Sequence, residues 1–183
     1  LPPLFLDREP APGSAVRERL GAQGTELLND FGLLRADPSN PDACLGTVML
    51  YPLYGLYIAS DRDWEPETGG GNLPRPDAVY LAITPNAYDY VAALPTSPCE
   101  ELLDLCSGAG IAALIAARDY AKSAYACDIL DRCTRFAAWS AQVNGIPNLK
   151  ALTGNLHEPV AGRSFDRVVA HPPYVPSEGQ THI

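Results

Sequence analysis

The sequence predicts an α/β fold, a parallel sheet with helices on both faces, preceded by a small α+β module. Three observations carry this. From residue 100 onward, short apolar runs alternate with helix-like stretches, the pattern of strands joined by helical crossovers. The first run leads into Ser107-Gly108-Ala109-Gly110, a tight turn ahead of an Ala-rich stretch. The chain up to about residue 95 is instead dense in Pro and turn signals.

The second half supplies its elements in order. Glu101 to Cys106 reads as a strand, with Asp104 near its end, and Ile111 to Tyr120 as a helix. Ala124 to Cys127 is a second strand, ending at Asp128. Arg132 to Val143 is a second helix, stopped by Asn144-Gly145 and Pro147. Leu149 to Leu152 is a third strand, leading to Gly154-Asn155. Phe165 to Ala170 is a fourth, ending at His171-Pro172-Pro173-Tyr174.

In the first half, Leu20, Leu27, Leu28, Phe31 and Leu34 recur near helical spacing, so Ala15 to Leu34 reads as two short helices broken near Gly21 and Gly24. Ala36 to Asp42 reads as a loop. Thr47 to Tyr51 and Leu56 to Ala59 read as strands of a hairpin. Helices followed by a hairpin suggest a winged-helix-like module; the plainer reading is a subdomain that only packs on its neighbour. Glu65 to Pro76, with three consecutive glycines, reads as a linker. Val79 to Ile83 is an expected strand, and Asn86 to Leu94 an expected helix. The expected organisation is a module over 1–64, a linker over 65–77 and the main domain over 78–183.

Composition narrows the function. The chain has 183 residues, 46% of them apolar, enough for one sizeable core. Net charge is −9, so the basic footprint of a nucleic-acid binder is absent on average. No apolar run reaches the roughly 18 residues of a membrane-spanning helix. Five cysteines (Cys44, Cys99, Cys106, Cys127, Cys133) form no C-x-x-C pair, and no clustered His accompanies them. A zinc site and a disulfide scaffold are not expected, and a reducing cytoplasmic setting is. The start at Leu1-Pro2-Pro3 lacks both Met and a secretory pattern, and points to a chain processed or cut from a longer one.

The chemistry centres on the glycine turn. Gly108 and Gly110 have no Cβ to obstruct a ligand and accept positive φ. Asp128, 20 residues after Gly108, ends the next strand, where a carboxylate accepts hydrogen bonds from ribose hydroxyls. The pair predicts a ligand carrying a nucleoside. Gly108-x-Gly110-x-x-Ala113 also fits a dinucleotide fingerprint, so a nicotinamide enzyme is an alternative. Against it, Asp104 crowds a turn that should face a diphosphate, and His-Pro-Pro-Tyr has no task in hydride transfer. The plain reading is that Asp104 and Asp128 merely cap the turn and the next helix.

Taken in order, Asp104 to Gly110, Asp128, Gly154-Asn155 and His171-Pro172-Pro173-Tyr174 resemble the class I S-adenosylmethionine-dependent methyltransferases. The nearest branch is the amine-directed one, which includes release-factor glutamine methyltransferases and rRNA and tRNA base methyltransferases. The resemblance covers about residues 78 to 183. It implies a Rossmann-like sheet and S-adenosylmethionine as cofactor. Asp104, Cys106, Ser107, Gly108 and Gly110 would hold its methionine part, Asp128 its ribose, and Ile129, Asn155 and Leu156 its adenine. It implies His171, Pro172 and Tyr174 as catalytic residues, with no metal.

Two positions depart from the family pattern. Asn155 stands where relatives usually have Asp, and can still accept and donate. His171 stands where relatives carry Asn or Asp, whose side chain accepts from the target NH₂. Neutral imidazole offers one acceptor and protonated imidazole none. His171 could instead act as a base toward a hydroxyl or an ammonium, or only pack. The implied acceptor is a nitrogen of a protein or RNA. A small-molecule methyltransferase and a non-catalytic nucleoside-binding protein remain as alternatives. The family's sheet has seven strands and only four are legible here, so the expectation is a fragment, truncated after the fourth strand, with that strand an exposed edge.

Overall fold

The structure, a computed structural model, describes residues 2–7, 9–61 and 77–172. The expected linker over 65–76, and Pro173 and Tyr174 of the last motif, lie outside the described residues. The N-terminal part contains α1 (Pro2–Phe5), β1 (Ala11–Pro12), α2 (Gly13–Asp30), β2 (Leu34–Asp37) and β3 (Asn40–Gly46). As expected, α2 is two helices. Gly21 leaves the helical region at φ 72° and ψ 170°, and its carbonyl accepts from Thr25 Oγ1 at 2.8 Å. Leu4, Val16 and Leu34 form a small core beneath a three-stranded antiparallel sheet of order β1-β3-β2.

The stretch 36–42 is a hairpin corner between β2 and β3, which corrects the loop expected there. Asp37 Oδ1 accepts from Ser39 N at 2.9 Å and Ser39 Oγ at 2.8 Å, so the reversal needs only Pro38-Ser39 and Asn40 already pairs. Helices followed by a hairpin are present, as in the winged-helix-like expectation, but that hairpin is 34–46. The expected strands over 47–59 form a second hairpin, β4 (Val48–Leu53) and β5 (Leu56–Asp61). Tyr54 and Gly55 both take positive φ, 52° and 76°, as a two-residue corner matched to strand twist requires.

Residues 79–83 do not form the expected strand. Val79 pairs with Asp61 alone, through Asp61 N to Val79 O at 3.0 Å and Val79 N to Asp61 Oδ2 at 2.9 Å, while Ala82 N donates to Tyr51 Oη at 2.8 Å. Side chains meet these donors and no ladder forms. α3 (Pro85–Ala92) follows, with Pro at its start and Thr84 Oγ1 accepting from Ala87 N at 3.2 Å.

β6 (Cys99–Leu105), α4 (Ile111–Asp119), β7 (Ala121–Asp128), α5 (Asp131–Val143), β8 (Leu149–Thr153) and β9 (Arg167–Ala170) complete the fold. All four strands are parallel, in the order β8-β7-β6-β9. Residues 111–117 of α4 are all buried, and their alanines let the helix lie close to the sheet. α4 and α5 cover the same face, because two right-handed crossovers step the same way along the sheet. Among the described residues, the other face carries a 3₁₀ turn (Glu158–Val160), Phe165 and Arg163, over Leu103, Tyr125 and Cys127. The strand order reverses to reach β9, which among the described residues pairs with β6 only, and Val168 on it is 55% exposed.

The second hairpin joins the main core. Val48, Met49, Tyr51, Leu56, Ile58 and Ala59 share one apolar cluster with α4 and α5. Ser140 Oγ on α5 accepts from Ala59 N at 3.0 Å, and Asn144 Oδ1 accepts from Tyr57 N at 2.8 Å.

Candidate cofactor and transfer site

The four strands end at Leu105, Asp128, Thr153 and Ala170, and the register places these ends side by side. Every motif singled out in the sequence follows one of them. The strand order reverses between β6 and β9, and open α/β sheets take ligands at such a switch point, beyond the carboxyl ends of the strands.

The glycine turn and the second acid meet directly. Gly108 N donates to Asp128 Oδ2 at 2.8 Å, and Leu130 N donates to Asp128 Oδ1 at 3.0 Å. Asp128 is almost wholly buried, and the Cys133 thiol also hydrogen-bonds to its carboxylate, which keeps acceptor capacity for a further donor. Cys106 opens the turn at φ 56°, a left-handed conformation uncommon for a residue with a side chain and frequent at binding sites. Its thiol is pushed up by burial and then by the Asp128 and Asp104 carboxylates, so it stays protonated and is no nucleophile.

The two glycines have different tasks. A Cβ on Gly108, at φ 52°, would meet nothing within 4 Å. Its open side is where a ligand can approach the backbone. A Cβ on Gly110, at φ 79°, would lie 2.6 Å from Ala137 Cβ. The missing side chain at Gly110 therefore serves the packing of α4 on α5. Just ahead of them, Ser107 Oγ is buried and has no hydrogen-bond partner among the described residues. A buried hydroxyl left unpaired is costly, and a ligand in the turn would satisfy it.

Asp104 lies beneath the turn. It is 1% exposed, and burial pushes its carboxyl up to about 7. Asp104 Oδ2 accepts from Ala113 N, in the first turn of α4, at 3.2 Å, and Oδ1 accepts from Tyr90 Oη at 3.3 Å. It braces the turn from below.

The remaining residues ring the same strand ends. Ile129 and Leu156, 46% and 51% exposed, are apolar side chains following β7 and β8. Leu156 is held at φ 49° by a loop in which Asn155 N donates to Glu158 Oε2 at 3.3 Å and Asn155 O accepts from Glu158 N at 3.0 Å. His171 and Pro172 follow β9, the strand beside β6. The His171 ring stacks on Tyr90, with centroids 4.7 Å apart and planes 21° from parallel. Sequence reasoning missed Tyr90. It lies 14 residues before Asp104, on α3, and no spacing links it to either motif.

A parallel sheet with a glycine turn after one strand and a carboxylate ending the next defines a nucleoside-binding α/β domain. Residues 89–182 match the family model described as methyltransferase small domain, and the chain belongs to that family. The resemblance to methyltransferases is thereby borne out. The chain is 33% identical over 86 residues to a ribosomal protein uL3 glutamine methyltransferase of Bradyrhizobium diazoefficiens, covering 46% of this chain and 27% of that protein. It is 31% identical over 112 residues to the release factor glutamine methyltransferase of Escherichia coli, covering 61% and 38%. It therefore spans well under half the length of these curated relatives. A solved tRNA m1G37 methyltransferase of M. jannaschii aligns at a TM-score of 0.47 and 15% identity, covering 70% of this chain and 36% of that one.

Proposed function

We propose that this chain is the cofactor-holding part of an S-adenosylmethionine-dependent methyltransferase whose acceptor is a nitrogen of a protein or an RNA. The observation that carries the reading is the hydrogen bond from Gly108 N to Asp128 Oδ2, which closes the turn onto the carboxylate at the strand ends. The residues suit the cofactor chemically. The remaining acceptor capacity of Asp128 suits a ribose hydroxyl, the open side of Gly108 admits the chain of the amino acid, and Ser107 Oγ lacks, among the described residues, the partner a bound ligand would supply. Ile129 and Leu156 offer apolar surface to the adenine, and Asn155 offers an acceptor and a donor to its edge.

The cofactor supplies a methyl group on a sulfonium: the acceptor's lone pair forms the new C–N bond while the C–S pair returns to sulfur, and the acceptor's proton leaves afterwards. The protein's part is chiefly alignment. In this reading the His171 imidazole and the Pro172 carbonyl accept from the target NH₂ and turn its lone pair toward the methyl, the two prolines fix the backbone that presents that carbonyl, and Tyr174 stacks on a planar target. The net charge of −9 favours a protein over an RNA, whose phosphates would be repelled. The names of the two curated relatives, both protein glutamine methyltransferases, support the same choice. Five free thiols suit a cytoplasmic setting. Among the described residues no helix is long and apolar enough to cross a membrane.

Thermal melting with S-adenosylhomocysteine and with NADH tests the reading. A ligand at a hundredfold excess over its Kd stabilises by about 2.7 kcal/mol. A shift with S-adenosylhomocysteine, lost in Asp128→Ala, is expected; a shift with NADH alone would remove the methyltransferase.

A further inference from the structure

We propose that Tyr90 is a positioning residue that ties the transfer corner to the cofactor turn, its ring orienting the His171 imidazole while its hydroxyl is anchored on Asp104. The inference rests on the function proposed above and adds a residue to it. Tyr90 lies on α3, outside both motifs. Its hydroxyl donates to Asp104 Oδ1 at 3.3 Å, and the other Asp104 oxygen holds α4 through Ala113 N at 3.2 Å. Its ring lies nearly parallel to His171 at a centroid separation of 4.7 Å. One side chain therefore touches both halves of the site.

The reason such a device is useful lies in His171 itself. An Asn at this position could offer an amide oxygen, whereas imidazole offers a single acceptor nitrogen whose direction follows the ring plane. A ring free to turn about its side-chain bonds would present that nitrogen to the target only part of the time. Stacking restricts the plane. The anchor on Asp104 in turn fixes Tyr90, and it survives titration. An ionised Asp104 accepts from the hydroxyl, and a protonated Asp104 can donate to it.

The test uses the full chain with its three histidines isotopically labelled. His171→Asn assigns the His171 ring signals by their disappearance. In the native protein these signals should be shifted upfield by the Tyr90 ring current. Tyr90→Phe, which keeps the ring and loses the anchor on Asp104, should keep only part of the upfield shift, and Tyr90→Leu should return it to the ordinary range. Kinetically, Tyr90→Leu should lower kcat by about 10- to 100-fold, the scale of a misaligned transfer, with little change in KM for S-adenosylmethionine. Tyr90→Phe should recover part of that loss. Should Tyr90→Leu not fold, Tyr90→Phe still decides, because a ring shift and a kcat both unchanged from the native protein would break the proposed tie through Asp104. An unshifted His171 in the native protein, or a full kcat in a folded Tyr90→Leu variant, overturns it. If the native protein transfers no methyl group at all, the proposed function fails, and the ring-current comparison alone still decides whether Tyr90 holds His171.

Discussion

At the scale of single residues, the site is a set of polar groups whose partners are counted closely. Asp104 is the clearest case. Burial raises its carboxyl from the ordinary 3.8 to about 7. Between those values the folded state holds a proton that the unfolded chain has released, so stability falls as pH rises through that window. Asp104→Asn, neutral at every pH, should flatten the dependence of Tm on pH between about 4 and 7. A slope unchanged from the native protein would mean that Asp104 is not the group responsible. Gly110 gives a second expectation. Gly110→Ala places a methyl 2.6 Å from Ala137 Cβ at a φ of 79°. It should destabilise by about 2–4 kcal/mol in chemical denaturation, adding overpacking to the left-handed penalty. Gly108→Ala meets no neighbour, so it should be less destabilising while weakening S-adenosylhomocysteine binding in a titration.

At the scale of elements, the hairpin β4–β5 and helix α5 depend on one another. Two backbone donors of β5, at Tyr57 and Ala59, end on the side chains of Asn144, which follows α5, and of Ser140 within it. Ser140 is fully buried, so Ser140→Ala leaves Ala59 N without that acceptor. A loss of about 1–3 kcal/mol is expected in the same denaturation measurement. A second clamp joins the same elements near the site. The Arg132 guanidinium, at the start of α5, pairs with both carboxylate oxygens of Asp61 at the end of β5 and lies 4.7 Å from the centre of the Phe136 ring. Arg132 and Cys133 follow the Asp128 corner closely in the chain, so the hairpin also steadies the strand end that carries the carboxylate. A residue 71 positions away thus makes Arg132 a partly buried bridge.

At the scale of the whole molecule, the topology explains why dispersed motifs meet. Parallel strands put all their carboxyl ends on one edge, so segments following Leu105, Asp128, Thr153 and Ala170 converge wherever they stand in the chain. Charge acts at the same scale. With a net charge of −9, label from methyl-labelled S-adenosylmethionine added to a cell extract should appear in the protein fraction rather than the RNA fraction. Label in the RNA alone would reverse the preferred acceptor class.

The sequence by itself determined the parallel sheet, the glycine turn and the acid that closes on it. Each rests on local signals: apolar runs of strand length, glycines where positive φ is needed, and a carboxylate one strand further on. It also carried the family, because those signals occur in a fixed order. Tertiary structure alone decided the rest. Residues 79–83 look like a strand but have no ladder to join, since Asp61 and Tyr51 side chains satisfy them. Both helices lie on one face because the crossovers step the same way. The separate tasks of Gly108 and Gly110, and the contact of Tyr90 with both Asp104 and His171, depend on which surfaces face each other across the strand ends. Periodicity records how a segment sits on its own axis and holds no information about what another segment brings against it.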